Sequence, residues 1–456
     1  MFAGQDFQAL RHQCLETAHL FHDEKFPVDI SGVEWKRPPE ICTNPKFIES
    51  GACTSDICQG ELGDCWLLSS ISSLTLQPQL FSRVVPEDQS FDKKDGYCGI
   101  FHFMLWRFSD WVDVVIDDKL PTKNNRLIYT KSNSRAEMWS ALLEKAYAKV
   151  CGGYLTLQGG TIPEALEDFT GGIAETVSLS RHTSEDIWDM IVQSAHRGFL
   201  MACYIEVTEN GDIGQVNEDG LVLGHAYSIL GAKEVSGDVT LIRLRNPWGF
   251  TEYNGPWSDK SPEWQLVSKE EQKEINLEKD DGEFWMLCED FCSFFSWMVI
   301  CHTDVESAHC NVTHLRGRWQ RGVIAGGGRR LRTFFKNPQF RLHVGGTPDQ
   351  EEEPRCERWR VLLELMQTDS GAQKLHIACH LYQVAQNQVS QATLDRSFFT
   401  RNRPVCDTGE PQNSRGVTMQ AQLTAGEYVI VPSTYDANQE GNFYIRVHCE
   451  RHSSAI

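Results

Sequence analysis

The deciding stretch reads Gln59-Gly-Glu-Leu-Gly-Asp-Cys-Trp-Leu-Leu-Ser-Ser70. A cysteine follows a Gly-Asp turn and opens a run whose apolar positions, Trp66, Leu67, Leu68, Ile71 and Leu74, recur at helical spacing. Asp64 then reads as the cap of a helix, with Cys65 in its first turn. The unpaired N–H groups of a first turn carry about half a positive charge, which favours thiolate over thiol. The same groups, with the amide of Gln59, can donate to the oxyanion of a tetrahedral intermediate. Most buried cysteines are inert packing. Here Gly63 allows close approach of backbone to a ligand and Trp66 gives the helix a large anchor. The pattern is that of a nucleophile.

A thiolate needs a base and a group to hold that base. His225 opens a strand pattern, "GHAYSILGAKEV", whose partner is "VTLIRLRN", joined at Ser236-Gly237-Asp238. A two-residue turn puts His225 and Asn246 on one face, where the Asn246 amide oxygen accepts the imidazole N–H and fixes the tautomer. A three-residue loop puts them on opposite faces. Trp248 is placed to shield that bond. Cys65, His225 and Asn246 together make a cysteine-protease-type triad in chain order Cys, His, Asn.

The 456 residues suggest about three domains. A hydrophobic share of 41% and a charged share of 23% describe a globular chain. The net charge of -20 argues against nucleic acid or an anionic membrane as the default partner. Sixteen cysteines without a C-x-x-C pair suggest neither a disulfide scaffold nor a zinc knuckle. With no signal-peptide pattern and no apolar run long enough to span a bilayer, a reducing, cytoplasmic location is expected. Four segments follow: an N-terminal segment (1–39), a helical one carrying Cys65 (40–160), a β-rich one carrying His225 and Asn246 (161–304), and a strand-only one (315–450). In the first of the two central segments, "AEMWSALLEKAYAKV" reads as a helix stopped by Gly152-Gly153, and Thr161-Ile-Pro-Glu164 as another helix start. The last segment, with "FRLHV", "RWRVLLELMQ", "KLHIACHLYQV", "GEYVIVPSTY" and "NFYIRVHCE", reads as a β-sandwich. The fold class is α+β.

Several stretches, "QGELGDCWLL", "GHAYSI", "RNPWG", "GPWSD", "DGEFWM", "LLEKAYAKV" and "EDFTGG", resemble the catalytic core of the calpains, calcium-dependent intracellular cysteine proteases. "NPQF" and "GEYVIVPST" resemble the β-sandwich that follows that core. The resemblance implies a two-lobed papain-like core, an antiparallel β-sandwich, and limited cleavage of protein substrates. It also implies two calcium (Ca2+) sites. Clustered acids occur without any EF-hand loop, so the ligands are non-consecutive. In the first half, Asp56 and Glu137 match side-chain ligands, Glu49 and Gly51 backbone ones. In the second, Glu252, Asp259, Asp281 and Glu283 match side-chain ligands and Lys279 a backbone one. Calcium would draw the lobes together and move Trp248 from between them.

The sequence shows no penta-EF-hand domain, so no small regulatory subunit of that kind is expected. Weak phospholipid contact through the sandwich, by Arg329, Arg330 and Arg332, is the remaining partner expectation. Two rivals stand beside the protease: a transglutaminase-like acyl transferase, disfavoured by Asn246 in the third position, and a catalytically silent calcium-dependent binding protein, disfavoured by the intact triad.

Overall fold

A computed structural model describes residues 1–27, 30–207, 212–275, 281–303, 310–345, 358–368, 374–385, 388, 391 and 393–451. Lys279 and the acidic run 349–353 lie outside them. The chain separates into two compact units, Met1–Thr303 and Asp304–Ile456.

The first unit begins with a helix, Phe7–Thr17, capped by Asp6, whose carboxylate accepts the Ala9 N–H. This N-terminal segment is bolted to the core by Lys149, whose buried ammonium donates to Asp23 at 2.6 Å and to Gln5 at 2.5 Å. Lys149 belongs to the helix Trp139–Cys151, which ends where Gly152 adopts φ 93°, the left-handed turn that a Cβ would oppose. A third helix, Ile162–Thr170, starts as expected, with the Thr161 hydroxyl accepting the Glu164 N–H. Against these pack the helix Cys65–Leu74 and a hairpin, Ile100–Arg107 with Asp110–Asp117. The hairpin lies in the segment read as helical. Its signal is the alternation of Phe101, Phe103 and Leu105, whose side chains join Leu67, Leu142 and Phe169 in one core.

The second half of this unit is a six-stranded sheet in the order Glu283–Leu287, Val239–Arg245, Ala226–Val235, Leu200–Tyr204, Trp297–His302 and Ile173–Ser178. All its pairings are antiparallel. The helix Ser184–His196 packs on one face, its N-terminus closed by a reciprocal capping box between Thr183 and Asp186.

The second unit pairs two antiparallel sheets. One runs Cys310–Trp319, Gly441–Arg451, Trp359–Gln367 and Gly416–Leu423; the other is built on Phe340–Val344, Gly426–Thr434 and His376–Val384. Val361, Leu363 and Leu365 from one sheet meet Ile377, Leu381 and Ile430 from the other in a shared apolar core. Period-two alternation supplies this inward face. Strands Cys310–Trp319 and Gly416–Leu423 escaped the sequence reading. The fourteen cysteines whose side chains are described, Cys65 among them, are free thiols, and no described helix is long and apolar enough to cross a membrane.

Candidate active site

Cys65 is the first residue of its helix, and the backbone carbonyl of Asp64 accepts the N–H groups of Leu67 and Leu68. The helix is held at several points. Trp66 donates its indole N–H to Leu157 O at 3.0 Å and meets Tyr147 edge-on, and Gly160 lies so close under the ring that a Cβ there would sit 2.3 Å from it. Ser73 donates to Met201 O at 2.8 Å, and Ser228 donates to Ser69 O at 2.9 Å. The helix that Cys65 opens is thus stapled to the strand that follows His225. Asp64 occupies the cap position, but its side chain makes no capping bond, contrary to expectation.

The thiol also departs from expectation. Burial pushes Cys65 up to about 11, outweighing the N–H groups of Ala226, Trp66 and Cys65 that act to lower it. In a dry environment, losing hydration costs a thiolate more than half a unit of helix charge returns. His225 is pushed down to about 4 by burial, with its bond to Asn246 acting in the opposite direction. No hydrogen bond joins Cys65 to His225. The resting pair is a neutral thiol and a neutral imidazole.

His225 and Asn246 do meet. Nε2 of His225 lies 2.8 Å from Oδ1 of Asn246. The same oxygen accepts the Trp248 N–H at 3.0 Å, while Nδ2 donates to Phe250 O at 3.1 Å and Thr251 O at 2.9 Å. These partners orient the amide with its oxygen toward the imidazole, so Nε2 carries the proton and Nδ1 is left as a base. The route to this geometry differs from the one expected. Val235 opposes Val239, which leaves a three-residue loop and the wrong parity. A bulge between Ile229 and Gly231 inserts one residue and restores it: below the bulge Ser228 opposes Arg245, which returns His225 and Asn246 to one face. The Trp248 ring lies 5.1 Å from His225, tilted by 54°. Gln59 does not reach out freely: its Nε2 donates to Leu62 O at 2.7 Å, and its backbone N–H donates to Pro247 O at 2.8 Å.

The expected calcium ligands fall into two groups. Asp56 is buried and accepts the Cys53 N–H at 2.7 Å and the Trp139 indole at 3.3 Å. Glu137 accepts the Glu49 N–H and the Ser132 hydroxyl, both at 2.7 Å, and burial with Asp56 alongside pushes its carboxyl up. It precedes the Trp139–Cys151 helix rather than starting it. Gly51 lies in the same loop with φ 95°. In the second group, Asp259, Asp281 and Glu283 line a cavity of about 210 Å³ together with Thr54 and Arg243. Asp259 is pushed up to about 7 by burial and by Glu252, Asp281 and Glu283. Hard carboxylate oxygens crowded in greater number than the Arg243 cation beside them suit calcium by chemistry. Their present arrangement does not converge: among the described residues no three acidic, His or Cys groups are placed to hold a metal. Glu283 is held by the Arg243 guanidinium and the Thr54 hydroxyl, Glu252 by the Gly282 N–H, and Asp281 by the Glu283 N–H. Thr54 and Arg243 were not singled out from sequence. The clue to Arg243 is its place on the strand that pairs with Glu283–Leu287. In the sandwich, Arg330 pairs with Glu410 at the exposed surface.

Residues 2–302 match the model of the calpain family cysteine protease, and residues 315–448 that of the calpain large subunit, domain III. The calpain-1 catalytic subunit of Mus musculus is 43% identical over 483 residues, covering 99% of this chain and 67% of that protein. Calpain-8 of Rattus norvegicus is 42% identical over 492 residues, covering 100% and 69%. These matches place the chain in the calpain family of calcium-dependent cysteine endopeptidases.

Proposed function

We propose that Cys65, His225 and Asn246 form the catalytic triad of this endopeptidase, assembled when two calcium-binding clusters draw the lobes together. The observation that carries this is the Asn246 amide, pinned by three backbone groups so that its oxygen holds the buried imidazole with Nδ1 free. Closure brings Nδ1 to the Cys65 sulfur. The thiol proton passes to the imidazole, and the sulfur attacks the scissile carbonyl carbon. The first-turn N–H groups and the Gln59 amide take the oxyanion. The imidazolium then returns the proton to the leaving amine, and water, deprotonated by the same base, releases the acid from the thioester.

Bound calcium would supply the positive charge that Asp56 with Glu137, and Glu252, Asp259, Asp281 and Glu283, need in order to lie together, with the backbone carbonyls of Glu49, Gly51 and Lys279 as the further oxygens that would hold it. To join, Glu283 gives up Arg243 and Thr54. Trp248, resting on His225, shifts as the cleft narrows. About 1 Å of misplacement between sulfur and base costs about 100-fold in rate, so the resting form is nearly silent. Protein substrates with unstructured segments fit a cleft that accepts extended chain. Cleavage of a fluorogenic peptide is expected only with calcium, and never in Cys65→Ala. Full turnover in chelator would refute the switch, and turnover by Cys65→Ala the triad.

A further inference from the structure

Asp64 stands at the cap of the nucleophile helix and caps nothing. Its side chain is fully buried, and neither carboxyl oxygen meets an N–H or O–H donor of the chain. It faces the carboxyl of Glu144, equally buried, from the middle of the Trp139–Cys151 helix. Glu144 accepts the Thr130 hydroxyl at 2.6 Å and the Thr130 N–H at 3.1 Å. Two carboxyls come together in a dry core only when one keeps its proton. The Thr130 donors make Glu144 the charged member, and Asp64, with no donor of its own, is the acid that gives its proton to the shared bond. The titratable groups around the pair are Cys65, Tyr129 and Tyr154, with Glu61 reaching Tyr129 alone. Among the described residues no Lys, Arg or His faces the pair.

An aspartate in this position ordinarily turns its carboxylate onto the N–H groups of the first helical turn. Here the N–H groups of Cys65 and Trp66 act instead to lower the Cys65 thiol. We propose that Glu144 is a positioning residue for the nucleophile: by engaging the Asp64 carboxyl it keeps that group off the helix end, leaving the first-turn N–H groups to the sulfur and to the oxyanion. The pairing has a second consequence. Asp64 lies near enough to act on the Cys65 thiol, which it raises, so an Asp64 that gives up its proton more readily would raise it further. The inference rests on Cys65 being the nucleophile.

The test follows alkylation of Cys65 by chloroacetamide, read by mass spectrometry of the Cys65 peptide, with calcium, from about pH 5 to about pH 10. Burial is the larger cause holding the Asp64 proton and Glu144 the next, and Glu144→Gln takes away the second. Its alkylation midpoint is expected to rise by about one pH unit, with kcat/KM near neutrality down about tenfold through kcat. The double variant Glu144→Gln with Asp64→Asn is neutral throughout, and its midpoint is expected back within about 0.3 units of the unsubstituted protein. Thr130→Val, which removes the hydroxyl donor and leaves both acids, is expected to move the midpoint the same way by about half a pH unit, and it serves if Glu144→Gln does not fold. An unmoved midpoint in the single variants, or a double variant that stays displaced, overturns the proposal. Alkylation of Cys65 that leaves peptide cleavage intact would instead overturn the nucleophile reading, so the two failures are told apart.

Discussion

Replacing Asn246 by alanine removes four hydrogen bonds at once, and the structure says which of them matter. The carbonyls of Phe250 and Thr251 lie at an open loop, Phe250 being 56% exposed, so water replaces the lost amide there at little cost. His225 is 4% exposed, and the Trp248 N–H is half-buried beside it. Each donor stranded without water costs about 1–3 kcal/mol, so Asn246→Ala should lose about 2–4 kcal/mol of stability. For a unit of this size that is a fall of about 5–10 °C in Tm. The kinetic effect comes from the imidazole losing its tether. A base free to move by about 1 Å loses about 100-fold in kcat, whereas substrate binding, made elsewhere along the cleft, keeps KM within about threefold. Calcium-supported cleavage of a fluorogenic peptide gives kcat and KM, and thermal melts give the stability. A variant with the predicted melt but undiminished kcat would refute the reasoning, because the Asn246 bond would then be structural only.

In chelator, Cys65 should alkylate slowly at pH 7 and about tenfold faster with each pH unit toward 11, because burial has raised its thiol; calcium should lift the neutral-pH rate, and a plateau already reached at pH 7 in chelator would contradict this. His225 is held neutral down to about pH 4, while an unfolded histidine protonates near 6.5, so the unfolded chain binds the extra proton between those values. Stability should therefore fall as pH drops through that window, by about 3 kcal/mol at its lower end, and urea melts of His225→Gln should lose that part of the slope. Asp259→Asn should raise Tm slightly in chelator, by less than about 1 kcal/mol of relieved repulsion, while raising the calcium needed for half-activation; a variant changed in neither respect argues against a cluster there. Gly160→Ala drives a methyl against the Trp66 ring and should cost about 1–3 kcal/mol with a parallel loss of activity, measured by melt and peptide cleavage.

Much of this site is legible in the chain because local rules and global fold agree there. The helix at Cys65, the stop at Gly152 and the alternation of the Val239–Arg245 strand follow from spacing and turn residues alone. The meeting of His225 and Asn246 was inferred by a parity that the loop does not have. The bulge between Ile229 and Gly231 supplies it, and bulges leave little mark in a sequence. The protonation of Cys65 was misjudged because a helix end is visible in sequence while the depth of burial is not. The role of Asp64 was misjudged for the same reason, since Glu144, eighty residues on, comes beside it only through tertiary packing. Glu283 shows the converse: its identity as an acid in a cluster is plain, but its present hold on Arg243 and Thr54 depends on a strand register and a turn that lie far apart in the chain.

The helix Cys65–Leu74 is tied along its length, by Trp66 to Leu157, by Ser69 to Ser228 and by Ser73 to Met201. Cys65 therefore travels with the elements those bonds reach rather than swinging by itself. A displacement of about 1 Å, enough to cost about 100-fold in rate, has to come from those elements moving together.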